Sequence, residues 1–362
     1  MSRMNYCCVL TITLIFIISS NIGVCSTKHK YSIGRIPDAK HPFRPPGATD
    51  VRGPCPGLNT AANHGYINRS GIVGIDEVVK GLTTMYNIGE DLAVILAVTN
   101  TFFLGNPETG KFSIGHSSDE TGAFMGIIPG GLNEHNTLEL DASLTRNDYD
   151  LANGDNWSFN GTLYGMMHEV AKETSNGLYT IEAIAAYRRK RYQQSRRDNK
   201  KFFFDVRALH SYGAATFLYE VFPSAVDKIP SEEVISSFFG AQRLWDHSGW
   251  MHKPERIPYN WYRRLEPYTL DDIIQQAVAM YRIRPVEFGW NIASSGQFFP
   301  SPGFLSSDEL DGDTAFCLLA ESVIALAPTN ITAAQNIYIK THYPLVYQGL
   351  AKYSCLQQLA ST

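Results

Sequence analysis

The sequence predicts an all-α fold, a single compact helical domain with long irregular loops and minor β structure at most. Three observations carry this. Apolar residues recur at helical spacing in segment after segment, as in Ile75, Val78, Val79, Leu82 and Met85. No run alternates apolar and polar residues in the manner of half-buried strands. The 362 residues are 44% hydrophobic and 18% charged, with no low-complexity linker, charge block or internal repeat to mark a domain boundary. With 31 Lys and Arg against 35 Asp and Glu, the net charge is −4, and nothing in its distribution points to a nucleic-acid partner.

Taken in order, residues 1–26 read as a signal peptide ahead of a domain spanning 27–362. Arg3 gives a basic start, an apolar run extends from about Cys7 to Ile18, and mostly small or polar residues fill Ser19 to Ser26. The apolar run is short for a membrane span, so the expectation is a secreted chain with no membrane attachment once the segment is removed. Asn68, Asn156, Asn160 and Asn330 open N-glycosylation triplets, which agree with secretion.

Pro56 suits the first position of a helix and Gly65 its end, so residues 56–64 read as a short helix. Helices over 75–85 and 90–103 follow, then a minor hairpin near 110–128. Leu163, Met166, Met167 and Val170 share the inner face of a helix over 162–174 that stops at Asn176-Gly177. Its methionines are read as packing. Further helices are expected over 178–194, 206–221, 231–244, 269–282, 313–326 and 332–340, with Thr269 and Asp272 as a capping box. The basic run Arg188-Arg189-Lys190-Arg191, continued by Arg196-Arg197 and Lys200-Lys201, lies toward a helix end and reads as an exposed, solvated tail.

Cys55 stands out because it lies between two prolines at a helix start. As the N-cap, its sulfur faces the free N–H groups of Gly57, Leu58 and Asn59 and the positive end of the helix dipole, which favour thiolate over thiol. A thiolate held in this way can ligate haem iron. A lone Pro-Cys-Pro is also what a disulfide cysteine in a turn looks like. Removal of the signal segment takes Cys7, Cys8 and Cys25 and leaves Cys55, Cys317 and Cys355. In an oxidising compartment one pair and one single cysteine is the natural division of three, with Cys317 and Cys355 as the natural pair.

The longer string decides between these readings. His41-Pro42-Phe43, then Asp50-Val51-Arg52-Gly53-Pro54-Cys55-Pro56-Gly57-Leu58-Asn59-Thr60 through His64-Gly65-Tyr66, closely resembles the N-terminal segment of the fungal haem-thiolate peroxygenases, the chloroperoxidase-like family, long type. The resemblance continues through Gly249-Trp250, the segment Ile257 to Arg264, and Gly289 to Phe298, and so covers roughly residues 40–357. It implies haem b ligated by Cys55, hydrogen peroxide as co-substrate, and oxygen insertion into small apolar or aromatic substrates. It also agrees with one C-terminal disulfide.

A second element follows the same pattern. Glu139, Asp141 and Ser143 fall at alternate positions, and a turn bringing them together with the Leu140 carbonyl would suit a hard cation with six oxygen ligands. The stretch 139–146 resembles the family's Glu-x-Asp-x-Ser element followed by Leu-Thr-Arg, which implies Mg²⁺ beside a haem propionate. Glu134-His135-Asn136 resembles the Glu-His-Asp of shorter members less well. His135 is read as a loop residue, and His64 as packing near the cysteine-bearing helix.

The pattern breaks on the opposite face of the haem. Members of the long type carry an arginine and, seven residues on, a glutamate that moves the peroxide proton. Here Arg207 is present, but the glutamate position is Ala214. On a helix Arg207, His210, Ala214 and Phe217 share one face, so His210 is expected to move protons in place of the glutamate, or else to line the pocket. Glu220 falls on the far side of that helix. Phe217 and Leu138 are expected over the haem in an apolar substrate channel. Two other readings stay open: a different haem-thiolate reaction, such as organic peroxide rearrangement, oxidation of a substrate that brings its own carboxylate and so makes a glutamate at 214 unnecessary, or peroxidase or haloperoxidase chemistry, and a non-catalytic haem or ligand carrier.

Overall fold

Local sequence sets where each helix begins and ends. The computed structural model describes residues 35–301, 310–315 and 317. Helix α1 (Pro56–His64) starts at a proline and stops where Gly65 turns left-handed at φ 72. Helix α2 (Ile75–Tyr86) opens where Glu77 reaches back to the Gly74 N–H, and it closes at Asn87. Helix α3 (Glu90–Leu104) is apolar nearly all round, with Leu92, Ala93, Ala97 and Thr101 buried and Ile95, Thr99 and Phe103 half-buried. Helices α4 (Gly161–Ser175) and α5 (Ile181–Asp198) are capped by Asn160 and Thr180. Helix α6 spans Ala208–Glu220, and α7 (Glu232–Phe239) is capped by Ser231. Helix α8 (Leu270–Ile283) has the expected Thr269–Asp272 capping box.

The helices pack as neighbours: α2 on α3, α4 on α5, and α6 on α8, with α5 bridging to α8. One continuous apolar core joins them. At its centre Tyr86, Phe222, Phe238 and Trp261 meet ring to ring, and Trp261 donates to the Phe222 carbonyl at 2.7 Å. The fold is mostly helical, as the periodicity predicts.

Short strands trim this core. Strand β1 (Ile72–Gly74) pairs antiparallel with β2 (Lys111–Ser113), β3 (Phe203–Phe204) with β6 (Gly289–Asn291), β6 also with β7 (Phe298–Pro300), and β4 (Ala241–Arg243) with β5 (Trp250–His252). Within 110–128 the expected minor hairpin is reduced to Phe124 and Ile127, which exchange backbone hydrogen bonds across a two-residue turn, while β2 pairs with the distant β1. The helix expected over 231–244 ends at Phe239, because Gly240 turns left-handed at φ 60 and the next three residues form β4.

The basic run is corrected as well. Arg188 and Arg191 are only 4% and 3% exposed, since they fall on the inward face of α5 beside Ile184 and Ser195, whereas Arg197 is exposed. The triplet asparagine Asn156 is fully buried and donates to the Asn133 carbonyl, so it offers no surface for a glycan. Cys317 is disulfide-bonded, while Cys355, residues 1–26, Asn330 and the helices expected over 318–326 and 332–340 lie outside the described residues. Among the described residues no helix is long and apolar enough to cross a membrane.

Candidate active site

Helix α1 places Cys55. Cys55 is the N-cap residue, in extended backbone ahead of Pro56. Its approach is held by Asn59, whose side chain accepts from the Gly53 N–H at 3.0 Å and donates to the Gly53 carbonyl and to Glu255 Oε1, both at 2.9 Å. A Cβ on Gly53 would fall on the Ile114 carbonyl oxygen, so only glycine lets these two backbones cross. Cys55 is a free cysteine, packed against the core yet only half-buried. Part of its surface therefore stays accessible.

The electrostatics at the sulfur are a contest. Burial raises the thiol pKa, the N–H groups of Leu58 and Gly57 and the Arg146 guanidinium lower it, and Glu255 raises it. Burial wins in the metal-free chain, against the thiolate expected from the helix start alone. A coordinating metal reverses that order, because ligation deprotonates the thiol outright. Arg146 is 2% exposed, with Nη2 at 4.0 Å from Glu255 Oε1 and Nε without a partner. The sequence names Arg146 only as the end of Leu-Thr-Arg; its place beside Cys55 comes from tertiary folding.

The acidic loop is built as a folded staple. Asp148 accepts from Arg191 Nη2 (3.0 Å), Ser195 Oγ (2.9 Å) and the Ala142 N–H (3.1 Å). Asp141 Oδ2 accepts from Asn199 Nδ2 and the Phe203 N–H, both at 3.0 Å. Glu139 Oε2 accepts from Asn156 and meets His135 Nδ1 at 2.9 Å, and His135 stacks on Tyr149 at 4.5 Å. His135 is thus a partner of Glu139 and not a bystander in the loop. Burial raises the pKa of both Glu139 and Asp141, and the Asp148 charge adds to both. Glu139 Oε1 and Asp141 Oδ1 remain buried with no partner. Two orphaned carboxylate oxygens suit a hard cation, although among the described residues no cluster of three His, Cys, Asp or Glu side chains could hold one. Ser143 is half-buried and its carbonyl is taken by Arg191 Nε at 2.8 Å. Its hydroxyl and the Leu140 carbonyl would have to complete such a site.

On α6 a single stripe is accessible. His210 and Phe217 are half-buried and Ala214 is exposed, while Tyr212, Gly213, Ala215 and Thr216 are buried. An exposed alanine amid buried neighbours marks an open face. Phe217 meets Tyr268 edge-on at 6.0 Å, and Leu138 is buried in a small apolar group with Leu104, Phe103 and Leu132. Arg207 is not brought to His210. Its Nε binds the Asp205 carboxylate at 2.8 and 3.0 Å, and its Nη1 donates to the Asn136 carbonyl at 2.6 Å. With no glutamate at 214, the arginine has paired with the nearest acid. His210 instead has Arg188 and the Leu138 carbonyl beside it. Burial and Arg188 lower its pKa, the carbonyl opposes them, and its Nδ1 has no partner. Glu220 pairs with Arg264 at 3.3 Å, away from the stripe, as its helical position predicts.

These placements meet what is known of similar proteins. Residues 41–266 match the family model described as Peroxidase, family 2. The chain is 36% identical over 325 residues to an aromatic peroxygenase of Cyclocybe aegerita, covering 87% of this chain and 80% of that protein. It is 37% identical over 188 residues to an aromatic peroxygenase of Coprinellus radians, covering 51% of this chain and 71% of that one. An aromatic peroxidase of Fusarium equiseti is 29% identical over 327 residues, covering 83% and 74%. A helical fold with these relatives defines a peroxide-dependent oxidoreductase of the haem-thiolate class. The chain belongs to peroxidase family 2, which holds the fungal haem-thiolate peroxygenases and chloroperoxidases.

Proposed function

We propose that this chain is a secreted peroxygenase that uses hydrogen peroxide to oxygenate small apolar or aromatic substrates, with Cys55 as the axial ligand of haem b. The observation that carries the reading is Cys55 itself: a free cysteine at a helix start, packed against the core yet only half-buried. In this reading the accessible stripe His210, Ala214 and Phe217 of α6 faces the substrate. Haem bound at Cys55 supplies the oxygen-transfer chemistry, helped by electron donation from the thiolate. Glu139, Asp141, Ser143 and the Leu140 carbonyl would be the residues to hold Mg²⁺, whose charge would satisfy the two orphaned carboxylate oxygens.

Proton handling falls to His210. Peroxide cleavage needs a group that takes the proton from one oxygen and returns it to the other, and such assistance is worth about 10² to 10⁴ in rate. Ala214 supplies none of it. His210 is held neutral by burial and the Arg188 charge, with Nδ1 free to accept. Arg207, committed to Asp205 and Asn136, orients the start of α6 and does not touch the proton.

The test is the absorption spectrum of the ferrous protein under carbon monoxide, followed by peroxide-dependent hydroxylation of a small aromatic. A long-wavelength Soret band lost in Cys55→Ser, with turnover lost in His210→Ala, is the expected pair of results. A protein that binds no haem would overturn the proposal. A thiolate spectrum without any turnover would leave a haem carrier as the function.

A further inference from the structure

The substrate class can be read from a charge that nothing neutralises. Arg188 is 4% exposed on α5. Its Nη1 and Nη2 donate to the Ser211 carbonyl (3.1 Å) and hydroxyl (2.6 Å), and its guanidinium lies 4.1 Å from the centre of the Tyr212 ring. Among the described residues no carboxylate lies within 4 Å of it, whereas Arg146, Arg191, Arg207 and Arg264 each have one. A buried cation with only neutral partners carries a large uncompensated desolvation cost. Its Nε is unused, and so is Nδ1 of the neighbouring His210. Ser211 and His210 sit on the same helix as the exposed Ala214, within about one turn of it. Two polar groups with spare hydrogen-bonding capacity, one of them an unpaired buried cation, thus lie on or against the helix that exposes Ala214.

We infer that the substrate is an organic acid whose carboxylate seats beside the exposed Ala214, held by Arg188 through its unused Nε–H, while His210 Nδ1 stays free to accept the peroxide proton. This deepens the peroxygenase reading and rests on it. The acid supplies the negative charge that the helix lacks, so recognition and the missing charge are provided by one group. The overall change balances as one C–H bond of the acid becoming C–OH while hydrogen peroxide becomes water. The apolar remainder of the acid lies along Phe217.

The probe pair is 4-ethylbenzoate and its methyl ester, titrated into the ferric holoprotein with binding read by calorimetry and by the Soret shift. The thiolate spectrum of the same sample is recorded first, so failure of the peroxygenase reading is seen before any probe is added. Charge-assisted hydrogen bonds predict that the acid binds about tenfold to a hundredfold tighter than the ester. Arg188→Gln should abolish that preference. Ala214→Glu, which puts a built-in carboxylate on the same stripe and leaves Arg188 in place, should abolish it too while sparing the ester. Acid and ester binding with equal affinity to the wild type would overturn the inference, as would a preference that survives Ala214→Glu. An Arg188→Gln protein that loses haem, alongside a wild type indifferent to the acid, would assign Arg188 to a haem propionate instead.

Discussion

At Cys55, opposite charges act on one sulfur. Arg146 favours the anion and Glu255 opposes it, and both side chains are almost wholly enclosed. Field effects between buried groups are poorly screened, so each residue should tune the iron through the thiolate. Glu255→Gln removes a negative charge and should raise the ferric/ferrous reduction potential. Arg146→Gln should lower it. Spectroelectrochemistry of the two holoproteins reads both signs, and shifts in the same direction would show that the pair acts only through packing. His64 shows the same balance in a group away from the iron. Its Nδ1–H donates to the His41 carbonyl and its Nε2 accepts the Ile257 N–H, both at 3.1 Å, so the neutral ring is the form that fits. Burial lowers its pKa from 6.5 to about 4. The unfolded chain then binds a proton that the folded one refuses. Stability is full above pH 6.5 and is lost as pH falls toward 4, by about 3 kcal/mol. Urea unfolding at pH 7.5 and 4.5 should show this loss in the wild type and a smaller one in His64→Asn.

At the level of elements, the loop after residue 138 is shaped by α5 more than by its own sequence. Asp148 takes Arg191, Ser195 and the Ala142 N–H, which pins Ala142 at φ 63, a left-handed conformation costly for alanine. Asp148→Asn would leave Arg191 as a buried charge with a weakened partner, so a loss of about 3 kcal/mol is expected, measurable as a lower urea midpoint with the helical signal intact. This bracing was not legible in the sequence. The alternate carboxylates at Glu139 and Asp141 could be read directly, but Asp148, Arg191 and Asn199 join them from positions that no local period connects. Helix α1 is the opposite case, since Pro56, Gly65 and the cysteine between prolines are all local signals, and start, stop and N-cap come out as read. The pairing of β1 with β2 and the β4–β5 hairpin escaped because two or three residues are too few to show a period of two. Arg188 and Arg191 escaped because a run of like charges suggests solvent, while the 3.6-residue period turns every third or fourth of them inward.

For the whole molecule, the orphaned oxygens of Glu139 and Asp141 predict how stability depends on ions. One large apolar cluster makes up most of the core of the described residues, and the acidic loop packs on it through Leu140, Ala142 and Leu144. Without a cation the loop buries two carboxyl groups whose ionised forms are disfavoured by burial and by the Asp148 charge. A divalent ion that binds only the folded chain stabilises it by mass action, about 2.7 kcal/mol at a hundredfold excess over its dissociation constant. Removing bound ions with EDTA should therefore lower the thermal midpoint of the whole protein, since one core carries the cooperative transition, and added Mg²⁺ should restore it. Replacing both acids in Glu139→Gln/Asp141→Asn should give a protein whose midpoint responds to neither treatment. If that double variant still gained stability from Mg²⁺, the ion would be acting elsewhere. The two oxygens would then be satisfied by protonation, in keeping with their raised pKa values.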